Sequence, residues 1–280
     1  MVPVVWMALP LHQARLCPSK KATAYNNAAS AAFFMSNIHD TALPDALLQF
    51  YTTAPYDCSY LPDRQARSQV AIPPEHIDTT VYSTLIKRGF RRSGQFTYRP
   101  RCDGCARCVP VRVRALDFVP DRTQRKIVNR MNKPGYMQIR ECPLAFDAAH
   151  YALYRAYQQS RHPKGGMDED DADQYTQFLL SSGVDTRLIE FRIEGRLVML
   201  SVMDVLPDGL SAVYTFYDPN DAKASYGTYA VLWQIIQCQY NNLPYLYLGY
   251  WIAESEKMAY KSRYQPMDML DDGHWIKMPT

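Results

Sequence analysis

Two periods of apolar and polar residues run along this chain, and each change of period marks an element. Val81, Leu85 and Arg88 share a face at helical spacing and Gly89 follows as a stop, which predicts a helix from Thr79 to Arg88. From Val109 to Arg114 the run VPVRVR alternates apolar and basic positions, the mark of a half-buried strand with Arg112 and Arg114 on its open face. QFTYRP reads as a strand before it, DRTQRKIVNRMN as a basic helix or turn after it, and DALLQFY (45–51) as a short helix or strand. These elements predict a small first domain.

The second half gives a clearer pattern. AFDAAHYALYRAYQQSRH and DADQYTQFLLSS read as helices, the latter capped by one of its aspartates. TRLIEFRI, RLVMLSVMDVL and LSAVYTFYD read as strands joined by Glu194-Gly195 and Pro207-Asp208-Gly209, which predicts an antiparallel meander. SYGTYAVLWQIIQCQY returns to helical spacing and stops at Asn241-Asn242 and Pro244, before the strand YLYLGYWI. Two helices, three antiparallel strands, a crossover helix and a parallel partner strand make an α+β plan. The N-acetyltransferase-like (GNAT) mixed-sheet fold is built on this plan. The expected division is a leader over 1–34, a cysteine-bearing N-terminal domain over 35–130 and a GNAT-like catalytic domain over 131–280.

Composition narrows the class. At 280 residues, 47% apolar and 21% charged, with 12 Gly against 19 Pro, the chain is neither collagen, coiled coil nor wholly disordered. No run approaches the roughly 20 apolar residues of a membrane helix, so no membrane association is expected. Residues 1–34 carry no acidic residue, a basic start or a small-residue cleavage site is missing, and Met35 would make a natural start, so this leader reads as frayed or misassigned rather than secretory.

Net charge is only +3, but it is poorly mixed. From Lys87 to Arg140 fifteen basic residues face three acidic ones, an excess that suggests contact with nucleic-acid phosphate. Of seven cysteines, Cys102, Cys105 and Cys108 form C-x2-C-x2-C and Cys58 lies upstream, a thiolate set suited to structural zinc or an iron-sulfur centre. The same usage fits a reducing cytoplasm better than a disulfide framework.

Two further stretches carry chemistry. A helix starting at Ser225, with Gly227 and Lys223 nearby, can receive a phosphate on its free N–H groups. After the last strand, Glu254, Lys257, Tyr260, Lys261 and Tyr264 recur at spacings of three and four, and share a face if the stretch is helical.

YDCSYLPDRQARSQV, GFRRSGQFTYRPRCDGCARCVPVRV, GLSAVYTFYDP, SYGTYA, PYLYLGYWI and KMAYKSRYQP, in this order from about Leu43 to Trp275, resemble the arginyl-tRNA–protein transferase family, in its bacterial leucyl-transferring branch. The resemblance implies an aminoacyltransferase that moves leucine from leucyl-tRNA to the α-amino group of proteins beginning with Asp or Glu, marking them for N-end-rule degradation in the cytoplasm. It implies tRNA and acidic-N-terminus proteins as partners, no DNA, and no cofactor for the transfer itself. Cysteines of the first domain bind metal or an iron-sulfur cluster in related eukaryotic transferases, which brings Cys58, Cys102, Cys105 and Cys108 forward. YDCSYLP holds one cysteine where those relatives have a pair.

In that setting Asp218, Tyr250, Lys257 and Lys261 are the expected catalytic group: a carboxylate to orient the incoming ammonium, and lysine or phenol to meet the carbonyl oxygen or the departing ribose hydroxyl. Arg64, Arg67, Arg99 and Lys257 are candidates for the acceptor's anionic side chain. Arg112 and Arg114 are expected at tRNA phosphate, and Tyr214, Gly227 and Glu254 elsewhere in the substrate site. Arginine as donor, a non-catalytic zinc-bearing RNA-binding protein and a coenzyme A-dependent N-acyltransferase remain the competing functions.

Overall fold

The computed structural model describes residues 48–162, 171–221 and 223–279. The leader and Met35 lie outside the described residues, as do the first residues of DALLQFY and most of the acidic run 167–173.

The meander forms as the turn residues dictate. Strands β9 (Thr186–Ile193), β10 (Arg196–Leu206) and β11 (Gly209–Tyr217) pair antiparallel in sequence. The first turn puts Glu194 at φ 50° and Gly195 at φ 78°, the two left-handed residues that a tight hairpin of matching twist requires. Helix α5 (Tyr226–Tyr240) then crosses to β12 (Tyr245–Trp251), which runs parallel to β11. The helix is buried along most of its circumference, and Tyr229 and Trp233 meet Phe191 of β9 edge to face.

Strand β7 (Val109–Arg114), expected from the sequence in the first unit, is instead central to this larger sheet. It pairs antiparallel with β12 on one side and with β13 (Met267–Asp271) on the other. Val111 and Val113 join the main core, and Arg112 on the opposite face is also buried. With β14 (His274–Lys277) and β8 (Met137–Cys142) at the two edges, the sheet has eight strands in the order β14-β13-β7-β12-β11-β10-β9-β8. It is the mixed α+β sheet of the GNAT-like plan.

A second, four-stranded sheet has the order β1 (Gln49–Thr52), β4 (Ser68–Ile72), β6 (Phe96–Pro100), β5 (Arg91–Ser93). Helix α1 (Thr79–Lys87) starts where Asp78 accepts from the Val81 N–H at 2.9 Å and stops at Gly89, φ 85°. Its Tyr82, Leu85 and Ile86 share a core with Leu206 and Tyr247 of the large sheet, so the two sheets are packed through one apolar layer. A short hairpin of β2 (Tyr56–Asp57) and β3 (Gln65–Ala66) leads into Cys58.

Three of the remaining helices are capped by the aspartates that precede them. Asp121 and Gln124 form a capping box on α2 (Arg122–Met131), Asp147 caps α3 (Ala148–Arg161), and Asp171 caps α4 (Ala172–Tyr175), which continues as a π-turn to Leu180. After β12 a single turn, α6 (Glu256–Ala259), passes into a 3-10 turn over Tyr260–Arg263.

Candidate active site

The parallel strands β11 and β12 pair only where Gly209–Ser211 faces Tyr245–Tyr247, and beyond that register they separate. Arg91 reaches from β5 into this fork. Its Nη2 donates to the Ala212 carbonyl on β11 at 2.7 Å, while its Nη1 rests on Gly249 of β12, where any β-carbon would collide with it. Only glycine therefore leaves room for the guanidinium, and Gly249, at φ 78° beside a bulge in β12, also has the backbone that glycine favours.

Lys261 closes the far side of the same strand. Its side chain is buried, and Nζ donates to the Tyr250 carbonyl at 2.5 Å. Burial, and then the charge of Arg91, push its ammonium down to about 7. The Tyr250 hydroxyl turns the other way and donates to the Gly89 carbonyl at 2.8 Å; burial drives its pKa far up, which keeps it a neutral donor.

The other expected catalytic residues do not meet at one point. Asp218 follows β11; its carboxylate pairs with Arg196 and accepts from the Asn220 N–H at 3.0 Å. Lys257 is exposed on α6, while Lys261 and Tyr264 are buried. The common face expected for Glu254, Lys257, Tyr260, Lys261 and Tyr264 is thus not formed, because the helix stops after one turn and the next turn winds tighter. Glu254 pairs with Arg107 at 2.7 Å.

Arg112 is the clearest correction among the binding residues. It does not lie on an open face: it is buried against Asp268 at 3.2 Å and stacked between Tyr245 and Trp275, with ring centroids 3.5 Å and 4.4 Å away. The alternation in VPVRVR does form a strand, but a partner strand bearing a carboxylate takes the place expected for solvent. Arg114 shares Asp268 at 2.6 Å and remains partly exposed.

Arg99 lies over Phe90 at 4.8 Å and donates to the Arg88 carbonyl and to Gln69. Arg64 and Arg67 line a shallow pocket beside Cys105, and Arg67 pairs there with Asp103 at 3.0 Å. The Tyr214 hydroxyl accepts from Gln158 at 2.9 Å. Gly227 is closely packed: a β-carbon there would lie 3.2 Å from the Tyr217 ring. Ser225, at φ 60°, makes no side-chain cap, so the first-turn N–H groups of α5 have no side-chain acceptor from it.

The four cysteines of the first unit are free and half-buried around one turn. Cys102 and Cys105 form an isolated backbone bridge about Gly104, φ 69°, and Cys102 Sγ accepts the Arg67 N–H at 3.5 Å. Burial, followed by the charges of Cys102, Cys58 and Cys105, raises the Cys108 thiol to about 12. Their sulfurs are the soft donor type that zinc or an iron-sulfur group takes, and the influence of Cys102, Cys58 and Cys105 on Cys108 places the four near one another.

A tighter group lies elsewhere: Cys142, His150 and Glu190 are buried with ligand atoms all within 4.8 Å of one another. Such a cluster is able to hold a metal, yet Glu190 already receives Arg140 at 2.5 Å, Arg192 at 2.7 Å and His150 at 2.9 Å. Those bonds hold its pKa well below the usual carboxylate range despite burial. Two guanidiniums on one carboxylate disfavour a dication beside it.

Sequence pattern alone does not single out Arg91. Its motif, GFRRSG, is visible, but the fork it enters is made by strands more than a hundred residues further on.

Comparison with known proteins adds an independent line. The C-terminal description of arginine-tRNA-protein transferase matches residues 149–271 and the N-terminal one matches residues 56–126. The chain is 59% identical over 241 residues to an aspartate/glutamate leucyltransferase of Chromobacterium violaceum, covering 86% of this chain and 98% of that one. It is 58% identical over 238 residues to one of Thiobacillus denitrificans, covering 85% and 98%. Among solved structures, the C-terminal domain of a putative lysylphosphatidylglycerol synthetase from Agrobacterium fabrum aligns over 61% of this chain and 58% of that one with TM-score 0.42 and 10% identity, a likeness too weak to argue from.

Proposed function

The chain belongs to the arginine-tRNA–protein transferase family, and from that premise we propose that it moves leucine from leucyl-tRNA to the N-terminal α-amino group of proteins beginning with Asp or Glu. The observation that carries the reading is identity above half, over nearly their whole length, to relatives named for this activity. In the cytoplasm the product would be marked for N-end-rule degradation.

The chemistry asks for alignment more than activation. An aminoacyl ester is already reactive, and an α-amino group with a reference pKa near 7.7 is substantially neutral at about pH 7–8. The amine nitrogen bonds to the leucyl carbonyl carbon, the ester C–O bond breaks, and the ribose hydroxyl leaves with a proton that the amine gives up. The catalyst must hold both groups and stabilise the oxyanion.

In this reading Asp218 orients the ammonium and accepts its proton, and the exposed Lys257 faces the tRNA end. Tyr250 acts as a positioning residue, since its hydroxyl is committed to the Gly89 carbonyl. The uncapped start of α5 suits a terminal phosphate of the tRNA. Cys58, Cys102, Cys105 and Cys108 would hold a metal or cluster that cross-links the loops of the first unit, outside the transfer itself. The fork between β11 and β12, where the acyl donor of an acetyltransferase-like sheet lies, contains a guanidinium here.

The test is transfer of labelled leucine from charged tRNA to a peptide beginning with Asp, with arginyl-tRNA and acetyl-CoA run as alternative donors. Asp218→Asn should slow single-turnover transfer by about 100-fold with tRNA affinity retained.

A further inference from the structure

Arg91 and Arg92 are neighbours on β5, and because strand side chains alternate they leave on opposite faces. Arg92 is fully matched: its fork holds Asp204 at 2.6 Å and 2.9 Å, and it also donates to Gly94 and Thr186. Arg91 spends a single N–H on the Ala212 carbonyl, and among the described residues no carboxylate pairs with it. Lys261 is in the same position, with one bond to a backbone carbonyl and no carboxylate among the described residues. The groups around them are phenols: Tyr60, Tyr82, Tyr98, Tyr250 and Tyr260 all feel the charge of Arg91, and burial raises the pKa of each, so none supplies a negative charge. Burial first, and the charge of Arg91 second, lower the pKa of Lys261.

Two cations within electrostatic reach of each other, set against neighbouring residues of one strand and with no carboxylate partner among the described residues, are costly, and the cost is recovered when an anion enters. We propose that Arg91 and Lys261 form the socket for the side-chain carboxylate of the acceptor's first residue and thereby set the preference for Asp or Glu. This rests on the transferase reading. A guanidinium with free N–H groups matches a carboxylate in two-point geometry, which a neutral amide cannot replace. The recess also selects the partner: Lys261 is only 6% exposed, which suits a small flat group on a chain terminus. The phosphodiester of a folded RNA is better served by the exposed arginines of α2.

The socket is tested by equilibrium binding, without tRNA, of short peptides that begin with Asp or with Asn and are otherwise identical. Wild-type protein should bind the Asp peptide at least about 10-fold more tightly, the scale of one buried charge pair. Arg91→Gln and Lys261→Met should each bring that ratio close to one, while leucyl-tRNA affinity and its salt dependence, measured separately, stay unchanged. Lys261→Met removes a buried charge and leaves the thermal transition intact or raised, so it stays informative if Arg91→Gln folds poorly. The proposal is overturned if the wild type shows no Asp preference, if the preference survives both substitutions, or if the variants instead lose tRNA affinity with a shallower salt slope, which would make this a phosphate site. A wild type that prefers the Asp peptide, loses that preference in the variants, and moves no leucine supports the socket and counts against the transfer reading alone.

Discussion

Arg92 and Asp204 form a bidentate ion pair closed to solvent, with side chains 2% and 0% exposed, and it fastens the edge strand of the small sheet to the centre of the large one. A pair of this kind offers little net stability over apolar residues of the same shape. Removing one partner is different, because the other charge stays buried and alone. Asp204→Asn should therefore lower unfolding free energy by about 3–5 kcal/mol, read from urea denaturation. Joining it with Arg92→Met should restore part of the loss.

Lys261 gives the chain a defined pH dependence. In the unfolded chain its ammonium titrates near 10.5, whereas in the folded protein burial and Arg91 bring it to about 7. Between those values the unfolded state holds more protons, so this residue makes stability rise with pH across the window from about 7 to 10.5. Lys261→Met should flatten that rise in thermal melts. The socket works in the opposite sense: as pH climbs through about 7 it loses a cation, and the ratio of Asp- to Asn-peptide affinity should fall. Using the ratio cancels the titration of the peptide α-amine. The Arg91 guanidinium and the Tyr260 ring are the groups that act on the ammonium, and desolvation raises the Tyr260 phenol, which stays neutral around pH 7.

We expect the exposed side of α2 to take part in tRNA binding. Arg122, Arg125 and Lys126 stand on the exposed side of α2, with Gln124, Val128 and Met131 turned inward. Neutralising the three should weaken leucyl-tRNA binding and reduce the magnitude of its logarithmic salt slope by roughly 0.7–0.9 for each phosphate no longer engaged. Neutralising Arg112 should act on stability, since it balances Asp268 inside the sheet. Binding titrations at several salt concentrations separate the two outcomes.

Metal content distinguishes the two candidate centres. Protein purified without oxygen should carry metal or cluster that serine at Cys58, Cys102, Cys105 or Cys108 diminishes, and the same substitutions or chelation should lower the thermal transition. Glu190→Gln should leave metal content unchanged and destabilise the fold, because it strips the counter-charge from Arg140 and Arg192. Elemental analysis beside thermal melts reads both.

The parts of this molecule that local chemistry determines are legible in its sequence. Glu194-Gly195 fixes a hairpin, Asn241-Asn242 and Pro244 end α5, and the period change at Ser225 announces the crossover. Strand β5 is not legible, because three residues leave no period to read. The hairpin of β13 and β14 escapes the periodic pattern, although its Asp272-Gly273 turn, at φ 42° and 80°, carries a usable signal. The site divides in the same way. Asp218, Tyr250 and Lys261 can be named from the motifs that hold them. The meeting of Arg91 with Gly249 cannot, since it depends on where two parallel strands stop pairing, a property of the assembled sheet.

The central claim is best tested by single-turnover reaction of wild-type protein with charged leucyl-tRNA and peptides beginning with Asp or Asn, with the product located by fragmentation mass spectrometry. The account predicts leucine on the α-amino group of the Asp peptide, at a rate about 100-fold above that of the Asn peptide, and no product from arginyl-tRNA or acetyl-CoA. Acetylation, arginine transfer at a comparable rate, or equal leucylation of both peptides would contradict it.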